Sequence, residues 1–314
     1  MPTVSTPDGI VHYDITRPSG DGGPSGSFPT GAAPLVLLHG TGGSGAETFG
    51  PHLARFAHRR TVITPDYAGS ELTTDPGGDL TVELLVRQVV AAVHDALDQP
   101  TPSGTRDETP VDLLGFSLGA VVAAATAARH PDLVRRLILV AGWPASDDPR
   151  LRLGFDLWAE LADRDLQLYL KFCVLALYSS DYLSGLGADG IADLVNPRLA
   201  QGISSGNRRQ IELDRRVDIR DLLPRIKAPT LVIGCARDHL IPVSQQRRLH
   251  RSIPDSRYVE IDSGHLVLTE RPDEFHALVE AFLADTGIPD PSGASAASRP
   301  DDEGITCDTD RRER

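Results

Sequence analysis

Six short runs rich in Val, Ile and Leu recur along this chain, with stretches of helical rhythm between several of them. They are Leu35–Gly40 (LVLLHG), Thr61–Asp66 (TVITPD), Val111–Ser117 (VDLLGFS), Arg136–Gly142 (RLILVAG), Thr230–Cys235 (TLVIGC) and Arg257–Asp262 (RYVEID). A strand that is apolar on both faces must be covered on both, as happens in a parallel sheet between two helical layers. Helical patterns at Thr81–Leu97, Leu118–Arg129, Val243–Arg251 and Pro272–Leu283 supply those layers. The repetition of strand, helix and strand predicts an α/β fold with a mostly parallel sheet. Residues near Val11–Ile15 are placed at an antiparallel edge.

One block breaks the rhythm. From Pro144 to about Asp218 the pattern is helical without a strand signal, and Phe155, Trp158, Leu161, Leu166, Tyr169, Phe172, Leu175 and Tyr178 recur at spacings near three and four. An insertion of about 75 residues between two strands of one sheet predicts a helical cap over the strand ends. Most of its apolar residues are expected to pack the cap onto the body; Trp158, Phe172 and Tyr178 are assigned to the pocket beneath it. The domain reading is therefore a core of residues 1–143 and 219–285, a cap of residues 144–218 and a tail of residues 286–314. Arg17–Pro34, Gln99–Pro110 and everything after Asp285 are rich in Gly, Pro, Ser and charge. They hold too few apolar groups to offset ordering entropy, so the first two read as loops and the last as a disordered tail.

Charge and cysteine usage exclude several classes of function. A formal net charge of −13, with no cluster of Lys and Arg large enough to reverse it locally, repels nucleic acid phosphates and anionic lipid. No run of about 18 apolar residues is present, and the start, MPTVSTPDGIVHYDI, has neither a basic segment nor an apolar one. Cys173, Cys235 and Cys307 are odd in number and widely spaced, which fits neither a disulfide framework nor a CxxC metal site. The expectation is a cytoplasmic protein with a small-molecule partner, without nucleic acid or membrane contacts; its oligomeric state is open, a homodimer being one option. Lys171 and Lys227 are the only lysines, a skew toward Arg that suggests a GC-rich bacterial genome.

The stretch LLGFSLGA, Leu113–Ala120, carries the chemistry. If Ser117 stands between the strand Val111–Phe116 and the helix from Leu118, the chain must turn sharply and hold the serine in a strained backbone conformation. Side chains two positions before and after would then collide with neighbouring backbone, which accounts for Gly115 and Gly119. The hydroxyl ends up exposed at the positive end of a helix, beside N–H groups with no partner inside that helix. A capping serine at a tight junction would carry the same pattern. A serine hydroxyl is a poor nucleophile without a base and a group to orient that base. GCARDHLIP, after the strand at Thr230, offers Asp238; DSGHLVLTERP, after the strand at Tyr258, offers His265. The order Ser117, Asp238, His265 is the one that a nucleophile on such a turn calls for.

Taken together, LVLLHGTGG, TPDYAGS, GFSLG, APTLVIGCARDHLIP and SGHLVLTERPDEF, in this order over Leu35–Leu283, resemble the α/β-hydrolase superfamily. The resemblance implies an eight-stranded, mostly parallel sheet with a cap, and assigns Ser117 as nucleophile, His265 as base and Asp238 as its orienting acid. It also implies an oxyanion hole from the backbone N–H groups of Thr41 and Leu118, and a reaction needing no cofactor and no metal. The implied activity is hydrolysis of a carboxylic ester, thioester or lactone of an apolar small molecule. The same triad can also serve cyclisation, elimination, carbon–carbon cleavage or perhydrolysis, and the same fold can serve non-catalytic binding. Ser rather than Asp at the nucleophile position argues against epoxide hydrolase and haloalkane dehalogenase chemistry. Where relatives commonly carry an arginine and a further glycine, this chain has Asp66–Glu71 (DYAGSE); Tyr67 either lines the pocket or packs that loop. His39 is expected to be a structural ring and His239 exposed; His250 and His276 fall inside helices, and Asp147 and Asp148 are the alternative acids.

Overall fold

A computed structural model describes residues 1–18, 32–75, 77–99 and 110–285. The strands are β1 (Thr3–Thr6), β2 (Gly9–Thr16), β3 (Leu35–Leu38), β4 (Val62–Asp66), β5 (Val111–Phe116), β6 (Val134–Val140), β7 (Thr230–Cys235) and β8 (Ser256–Ile261). They form one eight-stranded sheet in the order β1-β2-β4-β3-β5-β6-β7-β8. From β4 to β8 every pairing is parallel; β2 joins β4 antiparallel, and β1 pairs antiparallel with β2 outside it. The antiparallel segment near Val11–Ile15 is thus second from the edge. β1 itself is short and half exposed, a protected kind of edge.

The helices are α1 (Gly45–Phe56), α2 (Val82–Asp98), α3 (Leu118–Arg129), α4 (Pro149–Arg164), α5 (Leu166–Leu177), α6 (Ser180–Gln201), α7 (Ser205–Asp214), α8 (Val243–Arg251), α9 (Val267–Glu270) and α10 (Pro272–Ala284). Val36 and Leu38 of β3 and Leu113 of β5 pack toward α2, α3 and α8, while Leu35, Leu37 and Leu114 pack toward α1 and α10. This two-sided burial is what the continuous apolar runs require, at roughly 1.5–3 kcal/mol for each large side chain removed from water. The alanine-rich α3 is buried almost throughout because small side chains let it lie close to β5. α1 escaped the sequence reading because Pro51 sits inside it; Ser44 starts it by accepting from Glu47 N at 3.2 Å.

Helices α4–α7 form the insertion between β6 and β7. Its two ends meet: Ala145 bridges Asp218, Ser146 N donates to Val217 O at 2.8 Å, and Ile219 N donates to Pro144 O at 2.9 Å. No helix of the described residues is long and apolar enough to cross a membrane. The tail at 286–314, most of the loop at 17–34, nearly all of that at 99–110, and Cys307 lie outside the described residues.

On the α1–α10 face, His52 Nδ1 lies 3.0 Å from His276 Nε2. Burial, with Arg55 and His52 adding to it, pushes His276 down to about 4, and burial lowers His52 as well. The folded-state value of His276 is below the unfolded one near 6.5, so the unfolded chain takes up the proton first. The stability held by the neutral ring is therefore complete above pH 6.5 and is lost as pH falls toward 4. We expect His276→Gln to remove roughly 2 kcal/mol of the pH dependence in that window, measured by denaturant unfolding at pH 7 and pH 4.

Candidate active site

The parallel strands deliver their carboxyl ends to one rim, and the groups singled out above lie on the turns that leave it. Ser117 follows β5 with φ 58° and ψ −122°, a left-handed backbone for a non-glycine residue. The turn is held by Ser117 N donating to Val140 O at 2.9 Å. A Cβ on Gly115 would come within 2.1 Å of Gly119 O, and one on Gly119 within 2.1 Å of Leu38 O. Both obstacles are backbone and cannot swing aside. Gly119→Ala should therefore destabilise the fold by about 3 kcal/mol or more, read as a large drop in thermal midpoint.

Three side chains converge here. Ser117 Oγ lies 2.9 Å from His265 Nε2, and His265 Nδ1 lies 2.6 Å from Asp238 Oδ2. All three residues are buried. Asp238 is itself fixed: its Oδ1 accepts from Leu240 N at 2.9 Å and Ile241 N at 2.8 Å, and its Oδ2 from Gln246 Nε2 at 3.1 Å. The remaining face of Oδ2 is left to the imidazole. The alternative acids are engaged elsewhere, Asp147 by Arg220 and Arg248, and Asp148 as the cap of α4. His239 is exposed, His250 stacks on Tyr258, and His39 is a buried ring, lowered to about 4 by burial.

A cavity of about 280 Å³ opens above Ser117, bounded by the loop Gly40–Gly43, His265 and the inserted helices. Thr41 stands in its wall. Leu118 is the first residue of α3 and its side chain is buried below, so it can offer the site only its backbone N–H, which has no intrahelical partner. Of the four side chains assigned to the pocket, Trp158 and Tyr178 line the cavity and two do not. Tyr67 is wholly buried, stacked on His39 at 4.1 Å with its hydroxyl donating to the His39 carbonyl, so it packs the loop. Phe172 is half-buried on another side of α5, whose cavity-lining residues are Tyr169, Leu170, Cys173 and Leu177. The three-and-four spacing of the helix selects one stripe, and Phe172 is off it.

The insertion grips the turns around the cavity through residues that had no sequence signal. Gly264 N and Ser179 N and Oγ all donate to Glu270, and Leu266 N donates to Leu177 O at 3.0 Å, tying the His265 turn to α5 and α6. Arg150 of α4 donates to the carbonyls of His239 and Leu240, beside Asp238. Among the described residues no group of three or more metal-ligating side chains converges. Cys173 and Cys235 are free thiols.

The chain matches the model of the alpha/beta hydrolase family over residues 35–278. It is 38% identical over 255 residues, 81% of this chain and 92% of the relative, to a pyrrolizixenacetamide deacetylase from Xenorhabdus hominickii. It is also 31% identical over 198 residues, 62% of this chain and 63% of the relative, to a pimeloyl-acyl-carrier-protein methyl ester esterase from Neisseria meningitidis. An enol-lactonase from Burkholderia xenovorans superposes with a TM-score of 0.72 at 24% identity, over 90% of this chain and 100% of that one; at that identity it speaks for the fold. From its sheet order, its strained serine turn and these matches, the chain belongs to the alpha/beta hydrolase family.

Proposed function

We propose that the protein is a serine hydrolase that cleaves an acyl bond of a small, largely apolar molecule through Ser117, His265 and Asp238. The observation that carries this reading is the pair of contacts at 2.9 Å and 2.6 Å that link hydroxyl, imidazole and carboxylate beside a cavity. Ser117 Oγ attacks the carbonyl carbon while His265 Nε2 takes its proton; the imidazolium then keeps its Nδ1–H on Asp238. The backbone N–H groups of Leu118 and Thr41 meet the charge that develops on the carbonyl oxygen. His265 returns the proton to the leaving group, and water attacks the acyl-serine by the same steps in reverse order of roles. The strained backbone at Ser117 keeps the hydroxyl facing the cavity throughout.

The inserted helices act as a cap that sets substrate size. Trp158, Tyr169, Leu170, Leu177 and Leu240 give the cavity apolar wall area that favours an acyl or leaving group of similar character, while Glu47, Arg198 and Asn207 supply polar groups elsewhere in the wall. Esters, thioesters and lactones fit this chemistry, and the 38% identical deacetylase adds amides to the candidates. Two free thiols fit a reducing, cytoplasmic setting. The reading is tested by a fluorophosphonate probe and by p-nitrophenyl esters and p-nitroanilides of graded acyl length. The expected results are labelling mapped to Ser117 and turnover that falls once the acyl chain outgrows the cavity. Tight binding of small molecules with neither labelling nor turnover would instead favour a non-catalytic binding protein.

A further inference from the structure

Helix α7 is the part of the insertion that touches the loop carrying Thr41. Asn207, Gln210 and Asp214 lie three and four residues apart, on one side of the helix. Gln210 Oε1 accepts from Gly42 N at 2.8 Å, and its Nε2 donates to Ala68 O at 3.0 Å and Ser70 Oγ at 2.9 Å. Asp214 Oδ2 accepts from the Thr41 hydroxyl at 2.6 Å. Both side chains are almost fully buried. The loops press on the helix closely enough to need glycine: a Cβ on Gly42 (φ 71°) would lie 2.5 Å from Asn207 Nδ2, and one on Gly69 (φ 95°) 2.8 Å from Gly206 O. At its far end α7 is fastened to the core, since Asp214 O accepts from Ser146 Oγ at 2.5 Å, and Ser146 Oγ accepts from Trp143 Nε1 at 3.0 Å.

We infer that Gln210 and Asp214 are positioning residues that hold the loop Gly40–Gly43 in the shape that aims the Thr41 N–H at the developing oxyanion. Tyr67 holds the His39 carbonyl, and Gly40 O lies 2.8 Å from His39 Nδ1 and accepts from Gly43 N at 3.3 Å, but the bonds to the Thr41 side chain and to the Gly42 N–H come from α7. A glycine-rich segment has many backbone conformations of similar energy, and an oxyanion donor works only within a few tenths of an ångström of its place. Gln210 uses its acceptor on this loop and its donor on the neighbouring one, so a single side chain sets the spacing of the two. Asp214 fixes the Thr41 side chain, and through its Cα the peptide that carries the Thr41 N–H, while Gln210 holds the following one at Gly42 N. Keeping a buried carboxyl here is costly, and burial raises it well above the usual carboxylate range while the Thr41 hydroxyl pulls it back. A residue kept at that cost for packing alone could have been apolar.

This inference rests on the serine-hydrolase reading, and its test separates the two. Wild type, Gln210→Ala, Thr41→Val and Thr41→Ser are compared for fluorophosphonate labelling, for kcat and KM on the best p-nitrophenyl ester, and for inhibition by a boronic acid that forms a tetrahedral adduct on Ser117. Gln210→Ala and Thr41→Val should lower kcat about 10- to 100-fold with KM within about twofold, and raise the boronate Ki by a similar factor, because a loosened donor is lost from the tetrahedral state alone. Thr41→Ser keeps the hydroxyl on Asp214 and should therefore recover most of the kcat and boronate affinity that Thr41→Val loses. Failure of the wild type to label sinks the serine-hydrolase reading and this one with it. Labelled wild type with unchanged kcat and Ki in both variants, or a rise in KM alone, overturns the positioning role only. If Gln210→Ala does not fold, the near-isosteric Thr41→Val against Thr41→Ser decides the question alone.

Discussion

Ser117→Ala is expected to lower kcat on the best ester substrate by about 10,000-fold or more while KM stays near its wild-type value. The hydroxyl is the only atom removed, and it lines a cavity whose remaining walls, among them Trp158, Tyr178 and Leu240, still hold the substrate. Ground-state binding is therefore preserved and only the bond-forming step is lost. His265→Ala should cost about as much, and the double variant little more than either single one, because the two groups act as one unit across the 2.9 Å contact. Folding gives an internal control. The left-handed backbone at residue 117 is imposed by the junction of β5 and α3, and alanine has no hydroxyl to hold there, so the thermal midpoint should be unchanged or slightly higher. Loss of activity together with loss of the melting transition would mean that the serine serves the fold, and the capping reading of that turn would regain its place.

Ser117 could be singled out from the sequence because the constraint on it is local. Gly115 would collide with the backbone of Gly119, four residues on, so that need for glycine is written beside the serine, whereas Gly119 meets Leu38 O on the adjacent strand β3. Asp238 and His265 were reachable because strands of a parallel sheet end at one rim, and each residue follows such a strand within a few positions. Helix α1 was hidden by Pro51, and β1 by its shortness and half-exposed pattern. Phe172 was misplaced because helical spacing gives the stripe but not its phase relative to a neighbour. Tyr67 was left undecided, and its stacking partner His39 is 28 residues away, a contact no local pattern encodes. The same holds for Gln210, Asp214, Glu270 and Arg150. Each bonds to backbone or side chains far along the chain, Glu270 through Ser179, and in sequence each looks like an ordinary polar residue of a helix. What the sequence could not carry is thus the set of bonds between insertion and core.

Asp238→Asn is expected to cost about 1,000- to 10,000-fold in kcat although it removes no volume, and the hydrogen bonds around the carboxylate give the reason. Oδ1 accepts two backbone N–H groups, from Leu240 and Ile241. In the asparagine variant that side must stay the carbonyl oxygen, since an amide N–H₂ there would face two donors. The N–H₂ is then turned toward Gln246 Nε2 and His265 Nδ1, where Oδ2 now accepts at 3.1 Å and 2.6 Å. To meet that donor the imidazole must put its lone pair on Nδ1 and its hydrogen on Nε2. A ring in this tautomer donates to Ser117 Oγ and cannot take its proton. The base is present, at the same 2.9 Å, in the wrong form. Gln246→Leu relieves the second donor clash without touching His265, so it should leave most of the Asp238→Asn defect in place. A fluorophosphonate labelling rate that falls with kcat in Asp238→Asn, at unchanged KM, checks the argument. A rate near wild type would mean that the imidazole draws its orientation from elsewhere in its surroundings, such as Phe116, whose ring lies 5.1 Å away.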